Sequence, residues 1–235
     1  MVPRVRSSPN HGPRRDGARP DLVVLHHTAM RSAEAALDRL CDPAAEVSAH
    51  YLIAEDGAVW QLVDEAERAW HAGAGQWGAV TDVNSRSIGI ELVNPGPLDG
   101  FPPFPESQMT ALEALLDAIA ARWTIAPARV IAHSDMAPGR KADPGPKFDW
   151  RRLALGGRAI WPEPCAAAPA GPVGFRAAAE AIGYRAPGGD WGAVLAAFRL
   201  RFRPWGVGRL DTADTVLAEA VAAAHPCIDA GPLPA

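Results

Sequence analysis

Residues 21–27 read DLVVLHH. A four-residue apolar run leads into two histidines. A run this short, with polar residues on both sides, reads as a buried strand that delivers side chains to a site at its end. SIGIELV at 87–93 reads as a second such strand. Alternation puts Ile88, Ile90 and Leu92 on one face and Gly89, Glu91 and Val93 on the other. HYLIAEDGAVWQLV at 50–63 is two apolar runs around Glu55-Asp56-Gly57, a hairpin signal. RVIAH at 129–133 predicts a last short strand ending at His133. Between these lie helical patterns. In PESQMTALEALLDAIAARW (105–123), Met109, Leu112, Leu115, Leu116, Ile119 and Trp123 recur at helical spacing and form a face for a sheet. SAEAALDRL (32–40) is a shorter helix with Ser32 placed to cap it. The expected fold class is α+β: a central mixed β-sheet flanked by helices.

Residues 1–20 read as an extended N-terminal arm, and 21–162 hold the mixed pattern. Residues 163–172 lie in a Pro/Ala/Gly linker, and 173–235 carry three helix-like stretches. A segment of about 60 residues is near the lower limit for an independent core, and a small three-helix core of its own is expected here.

The 235 residues are 48% hydrophobic and 21% charged, a balance typical of soluble globular proteins. Net charge is −4 and the pI about 6.0, with no basic patch that would point to nucleic acid. No apolar run is long enough to span a membrane. Three widely spaced cysteines, Cys41, Cys165 and Cys227, argue against a disulfide framework or a cysteine-based zinc knuckle. The basic N-terminus lacks the apolar core of a signal peptide and a lipidation cysteine. If Met1 is the native start, the expected location is the cytoplasm; otherwise the periplasm or cell envelope remains open.

Seven histidines are present, and their placement matters more than their number. His26 and His27 end the first strand, His50 opens the hairpin, His71 lies in AWHAG and His133 ends RVIAH. No HExxH occurs, so any zinc site must be assembled from distant segments. Two histidines plus Asp143 would leave one position free on a tetrahedral ion, as catalytic zinc sites do. Asp143 lies in GRKADPGP (139–146), where glycines and prolines fix Lys141 and Asp143 side by side. Read alone, that turn is a surface ion pair contributing about 0–1 kcal/mol. Glu91 could be the polar face of a half-exposed strand, yet an unpaired carboxylate in so apolar a run is costly.

Five stretches in register, VVLHHTA, VSAHYLIAEDGAVWQLV, AWHAG, NSRSIGIELVNPG and HSDMAPGRKADPGP, resemble the zinc-dependent N-acetylmuramoyl-L-alanine amidases. That family shares its fold with the peptidoglycan recognition proteins. The resemblance covers about residues 20–162, making 21–162 the catalytic domain. Residues 173–225 match more weakly the small helical peptidoglycan-binding-like domain of some bacterial members. It implies one Zn2+ ion held by His26, His133 and Asp143. Glu91 would be the carboxylate that takes and returns a proton, and Lys141 the cation beside the scissile carbonyl. Strand alternation sends His26 and His27 to opposite faces, so only one can meet the metal; the resemblance favours His26. His50, Trp70 and His71 are structural or substrate-contacting positions. The implied reaction is hydrolysis of the amide between N-acetylmuramic acid, or its anhydro form, and L-alanine, with peptidoglycan fragments or muropeptides as partners. Two competing readings are a non-catalytic peptidoglycan recognition module and a two-carboxylate glycosidase.

Overall fold

Leu22, Val23, Val24 and Leu25 are all buried because their strand is covered on both faces. The computed structural model describes residues 2–162 and 172–229. In chain order its elements are β1 (Arg4–Val5), β2 (His11–Pro13), β3 (Leu22–His27), α1 (Ala33–Cys41), β4 (Tyr51–Ile53), β5 (Val59–Gln61), β6 (Glu67–Ala69), α2 (Val83–Arg86), β7 (Ser87–Leu92), α3 (Glu106–Trp123), β8 (Val130–Ala132), α4 (His133–Met136), α5 (Trp150–Leu155), α6 (Pro172–Ile182), α7 (Trp191–Phe202) and α8 (Thr212–Ala224). The main sheet runs β1-β5-β4-β7-β3-β8. Strands β4, β7, β3 and β8 are parallel neighbours, and the β4–β5 hairpin is antiparallel. The N-terminal arm joins this architecture: β1 adds to the sheet edge, and β2 pairs with β6 in a second, two-stranded sheet.

Alternation sorts the apolar residues as expected. Val23, Leu25, Ile88, Ile90 and Leu92 face α3, whose Met109, Leu112, Leu115, Leu116 and Ile119 cover them. Each such burial stabilises the fold by about 1.5–3 kcal/mol. On the opposite face α1 packs Ala36, Leu37 and Leu40 on Leu52 and Val93, toward β4. Ser32 caps α1, its hydroxyl accepting from the Ala35 N–H at 3.2 Å. The fully buried Gln108 reaches from α3 to donate to Ile53 O at 2.9 Å and Val93 O at 3.0 Å, tying together the ends of β4 and β7.

The last three helices do not close a core of their own. Phe175, Ala179, Ile182, Phe198 and Phe202 join one cluster with Leu22, Val24, Trp77, Ile131 and Met136. Three short helices bury too little surface alone, so they cover the β3–β8 part of the sheet. Linker residues 163–171 and Cys165 lie outside the described residues, and Cys41 and Cys227 are free thiols. Among the described residues, no helix is long and apolar enough to cross a membrane.

Candidate metal centre

Register brings the polar residues together. His26 lies directly opposite Glu91 across the β3–β7 pair. Leu25 pairs with Ala132, so His133, the next residue after β8, falls beside His26. The expected strand at 129–133 therefore stops one residue early, and His133 instead opens α4. Three neighbouring parallel strands thus present His26, Glu91 and His133 at their carboxyl ends, the edge where open α/β sheets bind ligands.

Asp143 completes the group from the GRKADPGP turn, where Ser134 N donates to Asp143 O at 3.0 Å. The Nδ1 atoms of His26 and His133 are 2.9 Å apart, and Asp143 Oδ2 lies 3.0 and 2.9 Å from them. All three residues are buried, and their ligand atoms lie within 4.8 Å of one another. His133 Nε2 faces the carbonyl of Ala72 at 2.9 Å. A carbonyl only accepts, so Nε2 carries the proton and Nδ1 offers its lone pair to the cluster. Burial, followed by His133, lowers His26 to about 4, so its ring is neutral near pH 7. Burial pushes the Asp143 carboxyl up, but its contacts with His133 and His26 hold it well below the usual range. Two imidazole nitrogens and one carboxylate oxygen fit a single tetrahedral dication with a position to spare.

His27 is not part of the cluster, although it lines the same cleft. Its Nδ1 accepts from the Ala29 N–H at 3.1 Å, and its ring lies over Gly96, where a Cβ would come within 2.6 Å of it. The side-chain geometry therefore puts His26, not His27, in the cluster.

A cleft of about 290 Å³ opens over the group, with His26, Trp70, His71, Glu91, Lys141 and Asp143 among its walls. Lys141 is exposed, and its ammonium makes no ion pair among the described residues. His50 does not reach the cleft. It is fully buried, with Nδ1 accepting from the Gly89 N–H at 3.0 Å and Nε2 donating to Glu67 O at 3.1 Å. Of the two roles expected for it, structural or substrate-contacting, these bonds fit the structural one, a backbone clamp between β7 and β6. Trp70 and His71 are on the wall, and His71 stands directly behind His26. Nothing in the local pattern of Asn84 or Ser87 marks them as partners of this site: Ser87 reads only as the first residue of the SIGIELV strand, and Asn84 as a polar residue ahead of it. Asn84 Oδ1 nevertheless accepts from the N–H groups of His71 and Ala72.

Glu91 Oε2 is inaccessible and has no hydrogen-bond partner among the described residues. Burial first, then Asp143, raises this carboxyl to about 8, while Lys141 pulls it down. In the metal-free protein the shift sets a pH dependence. Below the unfolded value of 4.5 the group is protonated in both states. Above it the unfolded chain ionises first, so Glu91 withdraws stability as pH rises, and withdraws it fully above about 8. After chelation, Glu91→Gln is expected to raise the urea midpoint at about pH 9 and leave it unchanged at about pH 4. Equal midpoints for variant and parent at the alkaline pH would refute a partly buried Glu91 with a raised carboxyl.

Comparison with known proteins agrees with this geometry. The N-acetylmuramoyl-L-alanine amidase family matches residues 16–146, a span holding all three cluster residues, Glu91 and Lys141. The amidase AmiD of Escherichia coli strain K12 is 42% identical over 154 residues, which is 60% of this chain and 55% of AmiD. The chain thus spans about half the length of that relative. A solved structure of E. coli AmiD with anhydro-N-acetylmuramic acid-L-Ala-D-γ-Glu-L-Lys is similar with a TM-score of 0.78 and 33% identity, over 93% of each chain. AmpDH3 from Pseudomonas aeruginosa in complex with anhydromuramic pentapeptide gives 0.80 and 31%, over 94% of this chain and 96% of that one. Strand register, the convergent histidines and a match across more than half of the sequence lead to one conclusion: this chain belongs to the N-acetylmuramoyl-L-alanine amidase family.

Proposed function

We propose that this chain is a zinc-dependent amidase that hydrolyses the bond between the lactyl carbonyl of N-acetylmuramic acid, or its anhydro form, and L-alanine. The observation that carries this reading is the convergence of His26 Nδ1, His133 Nδ1 and Asp143 Oδ2 beside Glu91, whose buried oxygen has no partner. Those three residues would hold a zinc ion, which when bound would supply Lewis acidity for the hydrolysis. Glu91 accepts the water's proton as the new C–O bond forms, and passes it to the alanine nitrogen as the C–N bond breaks. Its value of about 8 lets it hold that proton, and positive charge brought to the cluster lowers the value toward neutral pH. Lys141 faces the negative charge that builds on the carbonyl oxygen. Trp70 lines the cleft and offers an apolar surface to substrate.

The two relatives solved with anhydro-muropeptides support muropeptides as the substrate class. The domain assignment is likewise a proposal: residues 21–162 perform the chemistry, and 173–235 form a helical peptidoglycan-binding-like domain, whose described helices pack on the sheet beneath the site. Asp143 sits between two imidazoles, which disfavours the two-carboxylate glycosidase.

The test is muropeptide hydrolysis with and without chelator, read by mass spectrometry beside the zinc content. Free stem peptide that disappears on chelation supports the amidase. A shortened glycan indicates a glycosidase, and bound muropeptide without turnover indicates a recognition module. Lys141→Ala is expected to keep its zinc and lose about 10²–10³-fold in kcat. Loss of zinc with an unchanged rate per bound metal would overturn the role of Lys141.

A further inference from the structure

A buried chain of ring contacts runs behind His26, and its direction can be read from the atoms. The Ser87 hydroxyl donates to Val83 O at 2.6 Å. Its single proton is thereby used, so toward His71 Nε2, 3.1 Å away, the Ser87 oxygen can only accept. His71 therefore carries its proton on Nε2 and a lone pair on Nδ1. That Nδ1 lies 3.0 Å from His26 Nε2 and accepts a proton from it. With its proton on Nε2, His26 has a bare Nδ1, the atom that faces His133 and Asp143.

We propose that His71, held by Ser87, is the positioning residue that fixes the ring of His26 so that its Nδ1 lone pair is aimed into the metal centre. This rests on the metal reading given above. The surroundings are built for it. The His71 ring lies flat on Gly89 of β7, where a Cβ would come within 2.4 Å of it, so no larger residue fits there. Asn84 grips the backbone of the same segment, accepting from the His71 and Ala72 N–H groups at 3.1 and 2.8 Å. The next carbonyl, Ala72 O, takes the Nε2 proton of His133. Residues 71 and 72 thus orient both histidines of the cluster, one through a ring and one through a carbonyl. A histidine ligand usually hands its outer proton to a carboxylate, a carbonyl or water. Here His26 hands it to a second imidazole, whose own proton is fixed by a serine.

The test has two readouts other than turnover. Long-range nitrogen–proton NMR of the zinc-loaded parent is expected to show His71 with a protonated Nε2 and a bare Nδ1. A proton on Nδ1 overturns the proposal without any substitution. Zinc affinity by chelator competition is then compared across variants. His71→Leu removes the acceptor and is expected to lose about 10–100-fold. His71→Asn keeps an acceptor oxygen near the Nδ1 position and is expected to recover most of that loss. If His71→Leu does not fold, Ser87→Ala reads the same chain and is expected to weaken zinc and mix the His71 tautomers. Parent-like affinity in His71→Leu, or no recovery in His71→Asn, sinks the relay and leaves the metal reading standing. A parent that binds no zinc sinks both.

Discussion

Glu91→Gln is expected to lower kcat by about 10²–10⁴-fold while zinc content and zinc affinity stay at the parent level. Glutamine keeps the size and polarity of the side chain, so the sheet face should not repack. It removes only the ability to take up and release a proton. Three grounds support the proposal of Glu91 for that task. Register sets it beside His26. The residue lines the cleft beside the cluster, and its buried Oε2 is tied up by no hydrogen bond within the protein. Burial and Asp143 move it out of the ordinary carboxylate range, whereas Asp143 itself is held far below. Two carboxyl groups in one site are thereby driven apart, one toward proton transfer and one toward permanent charge. Steady-state kinetics on a soluble anhydro-muropeptide, together with metal analysis, check the expectation. Loss of zinc in Glu91→Gln would move Glu91 into the ligand set. An undiminished kcat would remove it from the chemistry altogether.

The legible part of this site was the part carried by strand alternation. DLVVLHH and SIGIELV each announce a buried strand, and parity alone sends Glu91 to one face and Ile90 to the other. Lateral register is not written in either strand. That His26 pairs with Glu91, and Leu25 with Ala132, depends on the packing of the whole sheet. For this reason the choice between His26 and His27 waited on side-chain positions. The role of His50 stayed open because a histidine at the start of a strand looks the same whether it faces a cleft or clamps a backbone. The N-terminal arm hid its strands because two- and three-residue pairings leave no periodicity to read. The helices after residue 172 were visible as helices, but their partners were not. An amphipathic helix displays an apolar face and says nothing of what covers it.

Arg201 is the least legible of these partners, and its removal is expected to have the largest effect on stability. The run AFRLRFRP (197–204) holds three arginines, and nothing in it tells which of them is buried. In the fold only 2% of Arg201 is exposed, and Asp135 is fully buried. Its guanidinium donates to Asp135 Oδ2 at 2.6 Å and to Val130 O at 3.0 Å, and stacks over Trp150 at 4.4 Å. The other oxygen, Asp135 Oδ1, accepts from the Tyr184 hydroxyl at 2.6 Å. One ion pair thus fastens α7 to β8 and α4, two residues beyond the proposed ligand His133. Arg201→Ala leaves a buried carboxylate without its counter-charge, which is expected to cost about 3–5 kcal/mol. The measurement is the urea midpoint at constant slope. The double variant Asp135→Asn/Arg201→Met removes both charges and should lose clearly less than Arg201→Ala, because the dominant cost is the stranded charge. A single variant within about 1 kcal/mol of the parent would mean that water or another cation reaches Asp135. The position of Asp135 adds a second consequence. Its Oδ2 also accepts from Ala132 N at 2.9 Å, which sets the turn from which His133 projects. Arg201→Ala should therefore weaken zinc binding even at temperatures where the chain stays folded, tying the last helices to the metal centre through structure and not through substrate.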